Sequence, residues 1–129
     1  EAGQAPKKSK VIILGLTFKE NCPDTRNSKV DDIIKRLNEF GVKPIVVDPW
    51  ASERDAMIEY NVTLTKIEDV HDADCVIVAV AHNEFKALSI YDIKRLFKNS
   101  PDNEKVLIDV KGLYKIDELI ESGMNWWRL

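Results

Sequence analysis

Short apolar runs rich in β-branched residues, separated by segments with helix signals, are the feature that most constrains the fold of this chain. The clearest runs cover residues 11–16, 44–47, 75–81 and 105–110, and weaker ones cover 62–65 and 124–129. Nearly continuous apolar runs are typical of strands buried on both faces of a parallel sheet. Strands that alternate with helices pair in parallel through right-handed crossovers. The sequence therefore predicts an α/β fold, a three-layer, Rossmann-like, doubly wound parallel sheet of about six strands in the order 3-2-1-4-5-6.

Serine followed three residues later by an acid marks three predicted helix starts, at Ser28, Ser52 and Ser89. Such a serine satisfies amide hydrogens that have no partner within the helix. Gly41 and Gly123 are predicted to end the first and last helices. One apolar stripe of the first helix is predicted to face the sheet, made of Val30, Ile33, Ile34, Leu37 and Phe40.

A length of 129 residues predicts one domain, with residues 1–9 as a linker and 10–129 as the domain. The missing initial methionine suggests a domain of a longer protein. The net charge of −3 gives no reason to expect nucleic acid or an anionic membrane as a partner. No apolar run reaches the roughly 18 residues that a membrane span needs. We expect a location in a reducing cytoplasm.

The cysteines and histidines predict neither a catalytic nucleophile nor a metal site in this chain. Cys75 lies in an apolar run and is interpreted as a small core residue. Cys22 follows the first strand, but no histidine or aspartate stands beside it in a nucleophile pattern. Two histidines and two cysteines are too few for the usual zinc spacing.

The predicted ligand site lies where the strand order reverses, beyond the carboxyl ends of the first and fourth strands. Lys19, His82 and Lys111 follow the first, fourth and fifth strands and are expected to meet in one crevice. Two lysine charges suit a diphosphate. Alternatively, the lysines are ordinary surface residues and His82 holds its own loop. Only Gly15 of the three-glycine dinucleotide spacing is present, so Asp48 is interpreted as a turn residue rather than a ribose ligand.

Four spaced segments of the chain resemble the C-terminal, UDP-sugar-binding domain of the UDP-glucose/GDP-mannose dehydrogenase family. The family pattern G-x-x-F-K-x-x-x-x-D-x-R-x-S is matched by Gly15, Phe18, Lys19, Asp24, Arg26 and Ser28. Three further matches keep their order, and they are Val47-Asp48-Pro49, Ala81-His82-Asn83-Glu84-Phe85 and Asp109-Val110-Lys111. With histidine at position 82, this motif resembles that of the branch that acts on UDP-N-acetylhexosamines, because the UDP-glucose branch tends to carry tryptophan at this position.

The resemblance implies a role for each matched residue. Members of this family oxidise the C6 alcohol of a nucleotide sugar to a carboxylate with two NAD molecules. Three residues are expected to contact the UDP-sugar: Phe18, Lys19 and His82. Arg26 is expected to lie near the cofactor side of the domain cleft. Lys111 stands where many members have an arginine on the nucleotide phosphates, so it keeps the charge but loses the two-pronged geometry.

The resemblance also implies partners outside this chain. NAD and the catalytic cysteine belong mainly to N-terminal and central domains of the same chain, and the intact enzyme is expected to be a homodimer. This chain alone should be inactive. Two alternatives stay open: a stand-alone nucleotide- or coenzyme-binding module without catalysis, and a dimerisation domain suggested by Trp126 and Trp127. Arg26, too, has an alternative role, pairing with Asp31 or Asp32 at the start of the following helix.

Overall fold

Five parallel strands form one sheet in the computed structural model, which describes residues 9–128. In chain order the elements are β1 (Val11–Leu14), α1 (Val30–Glu39), β2 (Ile45–Val47), α2 (Glu53–Tyr60), β3 (Cys75–Val78), α3 (Asn83–Lys86), α4 (Ile90–Lys94), β4 (Val106–Asp109), α5 (Ile116–Ser122) and β5 (Asn125–Arg128). Two short 3-10 turns cover Ile67–Asp69 and Asp102–Glu104. The predicted linker lies almost entirely outside the described residues.

The sheet has the order β2-β1-β3-β4-β5, with every neighbouring pair parallel. The predicted third strand is reduced to a single parallel bridge between Leu64 and Val46, on the outer side of β2. This segment is short because Asn61 turns the chain in a left-handed conformation before it and a 3-10 turn begins at Ile67. The predicted strand order holds, with five strands and one bridge instead of six strands.

Alternate strand residues build two apolar cores, one on each face of the sheet. On one face the sheet residues Ile12, Val76 and Leu107 belong to the cluster that includes Phe85 and Leu119 of α3 and α5. On the other, Ile13 and Ile77 share a cluster with Val30, Ile34 and Ala56 of α1 and α2. The α/β, three-layer, doubly wound architecture predicted from the sequence is therefore confirmed. At the edge strand, Trp126 packs on the first core, whereas Trp127 points to the other face and is 54% exposed.

Two of the three predicted caps are present as expected. Ser52 Oγ accepts from Asp55 N at 3.0 Å, and Ser89 forms a reciprocal capping box with Asp92. The prediction at Ser28 is wrong in detail, because Lys29 occupies the cap position of α1 and Ser28 Oγ accepts from Val30 N instead. The amide of Ser28 is held by the hydroxyl of Tyr60, which ties this serine to the end of α2.

Phe40 is not part of the buried stripe of α1. It lies just beyond the helix, is 54% exposed, and carries the Arg36 guanidinium 5.4 Å from its ring centre. Gly41 and Gly123 do follow the ends of α1 and α5, each with φ near +78°. In residues 9–128, none of the helices has the length and apolar character that crossing a membrane requires.

Candidate functional site

The loops that carry the predicted site residues leave the same edge of the sheet. Lys19 follows β1, His82 follows β3 and Lys111 follows β4, and these three strands are consecutive neighbours in the sheet. Adjacent strands are about 4.8 Å apart, so the ends of β1 and β4 are separated by roughly 10 Å. The topology therefore brings the three loops to one rim. We call residues 15–29, between β1 and α1, the β1 loop.

Three of the predicted ligand residues are exposed on this rim. Phe18 is 54% exposed, and Lys19 and Lys111 are also exposed. Within residues 9–128, neither ammonium group lies within ion-pair distance of a carboxylate. Both charges are thus available to an anionic ligand.

His82, in contrast, is completely buried, and both of its ring nitrogens have protein partners. Nδ1 accepts a hydrogen bond from Asn21 N at 2.8 Å, while Nε2 lies 3.0 Å from Asp48 Oδ2 and 3.1 Å from Thr17 Oγ1. A backbone N–H can only donate, so Nδ1 carries no proton and the ring proton sits on Nε2, facing Asp48. This geometry assigns His82 to the neutral Nε2–H tautomer.

Asp48 accepts five hydrogen bonds in the interior. Oδ2 accepts from Leu16 N, Thr17 N and His82 Nε2, and Oδ1 accepts from Trp50 N and Ala51 N. Burial raises the pKa of Asp48, but the hydrogen bonds from His82 and the backbone amides outweigh it, and the net pKa lies below the ordinary value. The turn predicted at Asp48 is present, and the same carboxylate also fixes the β1 loop.

The amides at the end of β1 are the groups that would meet a pyrophosphate in a dinucleotide-binding fold. Here the Asp48 carboxylate occupies the amides of Leu16 and Thr17, at 2.6 and 3.0 Å. A second anion at that point would face a buried negative charge. The residues present therefore do not fit NAD bound at this edge in the Rossmann manner.

Asp109 plays the corresponding part for the loop that carries Lys111. This residue is fully buried at the end of β4, where Oδ1 accepts from Leu113 N at 2.9 Å and Oδ2 from Tyr114 N at 3.0 Å. The turn between them contains Lys111. Lys19 and Lys111 therefore each lie in a loop whose backbone donates hydrogen bonds to a buried carboxylate.

Arg26 forms a two-pronged ion pair with Asp24. Nε lies 3.1 Å from Asp24 Oδ1 and Nη2 lies 3.2 Å from Oδ2. Hydrogen bonds from the Arg26 side chain and backbone lower the pKa of Asp24. The alternative that Arg26 pairs with Asp31 or Asp32 is wrong, since its guanidinium pairs with Asp24 instead. Arg26 is exposed on the outer part of the β1 loop.

One cavity of about 410 Å³ opens at the end of β2, and neither Lys19 nor Lys111 lines it. Its apolar lining includes Val47, Leu64, Ile67, Phe85 and Leu88, and its charged lining consists of Asp48, Glu53, Glu68, Glu84 and Lys66. Four carboxylates against one lysine make the charged lining predominantly negative. This cavity does not suit a diphosphate.

Cys75 packs against the second apolar core, as expected from the sequence. Burial, with a smaller effect of Asp74, raises the pKa of the Cys75 thiol to about 12, so this residue is a poor nucleophile. Cys22 is half-buried in the β1 loop. Among residues 9–128, no group of three or more histidine, cysteine or acidic side chains is arranged to hold a metal ion.

Sequence reasoning did not predict the hydrogen bonds by which four residues hold the loops of this site, namely Asp48, Asp109, Thr17 and Asn21. The available signal was an aspartate at or directly after the end of a buried strand, at 48 and at 109. Such a carboxylate lies next to the free amides of a neighbouring loop. Asn21 gave no comparable signal, since it contacts residues distant in sequence.

Fold and rim together define a Rossmann-like α/β domain that presents lysines, rather than a glycine-rich phosphate loop, at its topological switch point. The sequence profile described as "UDP-glucose/GDP-mannose dehydrogenase family, UDP binding domain" matches residues 12–116. The chain belongs to this family, as the sequence predicted.

Two curated relatives are named UDP-N-acetyl-D-glucosamine 6-dehydrogenase. The one from Pseudomonas aeruginosa is 46% identical over 85% of this chain, and the one from Salmonella typhi is 38% identical over 80%. These matches cover 25% and 23% of the relatives, so the chain spans about a quarter of their length. Both names belong to the hexosamine branch that was predicted.

A solved structure supports the fold. The NDP-N-acetyl-D-galactosaminuronic acid dehydrogenase from Methanosarcina mazei superposes with a TM-score of 0.77. The match covers 98% of this chain and 26% of that one, with 24% sequence identity. At this identity the likeness establishes the three-layer architecture alone.

Proposed function

We propose that this chain binds the nucleotide sugar in an NAD-dependent UDP-sugar 6-dehydrogenase, with a UDP-N-acetylhexosamine as the substrate. The observation that carries the proposal is the pair of exposed lysines, Lys19 and Lys111, at one rim of the sheet. A diphosphate requires positive charge on flexible donors, and two ammonium groups on loops of the same rim meet that need. The family match supports the same reading.

Each residue of the rim has a proposed part. Phe18 offers an exposed ring for contact with the nucleotide sugar, and Lys19 and Lys111 neutralise the phosphates. Lys111 contributes charge without the two-pronged geometry of arginine. Arg26 faces the cofactor side of the cleft, positioned by Asp24. The predicted contact between His82 and substrate remains a prediction, and the burial of the ring favours the alternative that it holds its own loop.

The chemistry is assigned to parts of the enzyme beyond this chain. NAD, which accepts the hydrides removed at C6, is bound mainly by an N-terminal domain, because the switch point here has Asp48 where a pyrophosphate would need free amides. The catalytic cysteine belongs to the same outside region, because neither Cys22 nor Cys75 matches the catalytic position of the family that the chain resembles. Those domains and a second copy in a homodimer are the proposed partners. Two free cysteines fit the predicted reducing cytoplasm.

Calorimetry of the 129-residue chain with UDP tests this proposal. We expect weak binding that weakens further with salt, because it depends on two exposed lysines. Lys19→Ala and Lys111→Ala should each reduce affinity about tenfold, the loss expected for one hydrogen bond to a charged group. Lys66→Ala is the matched control, because Lys66 is an exposed lysine in the lining of the acidic cavity. The proposal would be contradicted if neither Lys19→Ala nor Lys111→Ala weakened UDP binding, or if the chain did not bind UDP at millimolar concentration.

A further inference from the structure

We propose that His82 is a positioning residue whose neutral Nε2–H tautomer fixes the tip of the β1 loop, and with it Phe18 and Lys19, in the substrate-binding position. This inference rests on the proposed function for the meaning of that position. Its structural basis is independent, because it follows from the partners of one buried ring.

The His82 ring connects three separate parts of the chain. Nε2 faces Asp48 at the end of β2 and Thr17 in the β1 loop, and Nδ1 receives the amide of Asn21 further along that loop. Thr17 Oγ1 in turn donates to Lys19 O at 3.0 Å. The stretch that contains Phe18 and Lys19 is therefore held on both sides by a single imidazole.

A second link runs beside the first. Asn21 Oδ1 accepts from Asn83 N at 2.9 Å, so Asn21 is attached both to His82 and to the residue that follows it. Asn21 adopts φ of +54°, a left-handed conformation that asparagine tolerates better than most residues. These contacts together fix the backbone at a position that an unsupported loop would leave mobile.

The ring has no capacity for a further partner. It is buried between Trp50 and Phe85, whose ring centres lie 6.0 and 5.5 Å from it. The Trp50 indole donates to Glu84 Oε1 at 2.9 Å, which holds the tryptophan over the histidine. Both nitrogens of His82 are occupied, so its influence on a ligand passes through the loop rather than through direct contact.

Only one tautomer satisfies this arrangement. A proton on Nδ1 would oppose the amide hydrogen of Asn21, whereas a proton on Nε2 is shared by Asp48 and Thr17. The charged side chains closest to this network are Asp48, in direct contact, and Glu84, through Trp50. The carboxylate of Asp48 thus selects the tautomer that accepts from the loop.

Asn83→Pro tests this positioning role with little disturbance of the fold. Asn83 is the first residue of α3, where proline is well tolerated, and His82 has φ −59° and ψ 149°, which suits a residue before proline. The change removes the exposed Asn83 side chain and replaces the amide hydrogen that is donated to Asn21 Oδ1 by the proline Cδ, which displaces that oxygen. We expect faster hydrogen exchange at the Asn21 amide and several-fold weaker UDP binding.

His82→Asn and His82→Phe form the second pair of variants. Asparagine can place Oδ1 near the position of Nδ1 and continue to accept from Asn21, so affinity for UDP should stay within about threefold of the wild type. Phenylalanine keeps an aromatic ring, of slightly larger volume, without either polar group, and affinity should fall about tenfold. Lys105→Met is the control for general destabilisation, because Lys105 bonds Ser100 and Asp102 at the opposite edge of the sheet.

The tautomer itself is measured by long-range ¹H–¹⁵N spectroscopy of the 129-residue chain. His82 should show the Nε2–H pattern, and the exposed His71 serves as the internal reference. An Nδ1–H pattern, or wild-type exchange at Asn21 in both Asn83→Pro and His82→Phe, would overturn the proposal. If the wild type fails to bind UDP, the proposed function fails, while the tautomer and the Asn21 exchange still decide whether His82 holds the loop.

Discussion

Two buried carboxylates, Asp48 and Asp109, hold the loops of the candidate site in place. Each stands at the end of β2 or β4 and accepts backbone amides that no strand partner satisfies. A buried carboxylate is stable only when donors surround it, and amide donors of a nearby loop serve that purpose. The same contacts that satisfy the charge therefore determine where Lys19 and Lys111 emerge.

The lowered pKa of Asp48 predicts a specific loss of stability in acid. A carboxyl group whose pKa is lower in the folded chain binds protons more readily in the unfolded chain. The stability that Asp48 contributes is therefore complete above about pH 4 and is lost as the pH falls through the pKa of the folded state. The free energy of unfolding, measured by urea denaturation, should decrease below pH 4 in the wild type. Asp48→Asn should show a smaller decrease.

Thr17→Val is the control for that measurement. It removes the hydroxyl next to His82 without removing a titrating group, so its stability should be lower at every pH with the wild-type slope. Equal slopes for the wild type and Asp48→Asn would contradict the assignment of the acid dependence to Asp48.

Gly15 is a position where side-chain volume is excluded. Its φ is +109°, and an added Cβ would lie 2.5 Å from Val80 Cβ, beyond the end of β3. We expect Gly15→Ala to lower the free energy of unfolding by roughly 2 kcal/mol or more, from backbone strain and the clash together. Gly123 also has a positive φ, but an added Cβ there would lie 3.4 Å from its nearest neighbour. Gly123→Ala should therefore lower the free energy of unfolding by less. Equal losses in thermal denaturation would refute the role of the Val80 contact.

The helices differ in how far local sequence determines their starts. Ser89 and Asp92 exchange hydrogen bonds at the start of α4 without help from distant residues. Ser28 stands in the same pattern with Asp31, but Tyr60 of α2 holds its amide, and α1 begins at Val30. A cap therefore follows the sequence pattern where no tertiary contact competes for the serine.

Ser89→Ala should destabilise the chain by about 1 kcal/mol, because the first turn of α4 loses the acceptor for the amide of Asp92. Chemical denaturation measures this loss. Ser100→Ala is the matched control, since the Ser100 hydroxyl donates to the carbonyl of Lys98 and caps no helix start. A loss at Ser89 no larger than that at Ser100 would show that the capping box does not stabilise the fold.

The strands and their order were predictable, because buried parallel strands are nearly continuous apolar runs and alternation with helices fixes their direction. The run at 62–65 was weaker than the other apolar runs, but its reduction to a single bridge was not predictable. That reduction follows from the left-handed turn at Asn61 and the 3-10 turn at Ile67, which restrict pairing to Leu64. The position of Lys19 and Lys111 at this rim was predictable because both lie in loops that follow strands of the sheet. The burial of His82 was not predictable from the sequence, because the residues that contact its ring, Asn21 and Asp48, come from other loops.

At the scale of the whole molecule, the parallel sheet collects loops from distant parts of the chain at one rim. That rim carries the exposed Phe18, Lys19 and Lys111, while the cavity at the end of β2 has a predominantly acidic lining. The two surfaces make opposite demands on a ligand's charge. The matched segments cover only about a quarter of the length of the two relatives.

The most direct test of the account is to locate UDP on the ¹⁵N-labelled 129-residue chain by amide chemical-shift mapping. The account predicts that the largest shifts fall in the β1 loop near Phe18 and Lys19 and in the turn around Lys111, and that they disappear in a Lys19→Ala, Lys111→Ala double variant. Shifts centred instead on the cavity residues Leu64, Ile67 and Leu88, unchanged in that variant, would contradict it.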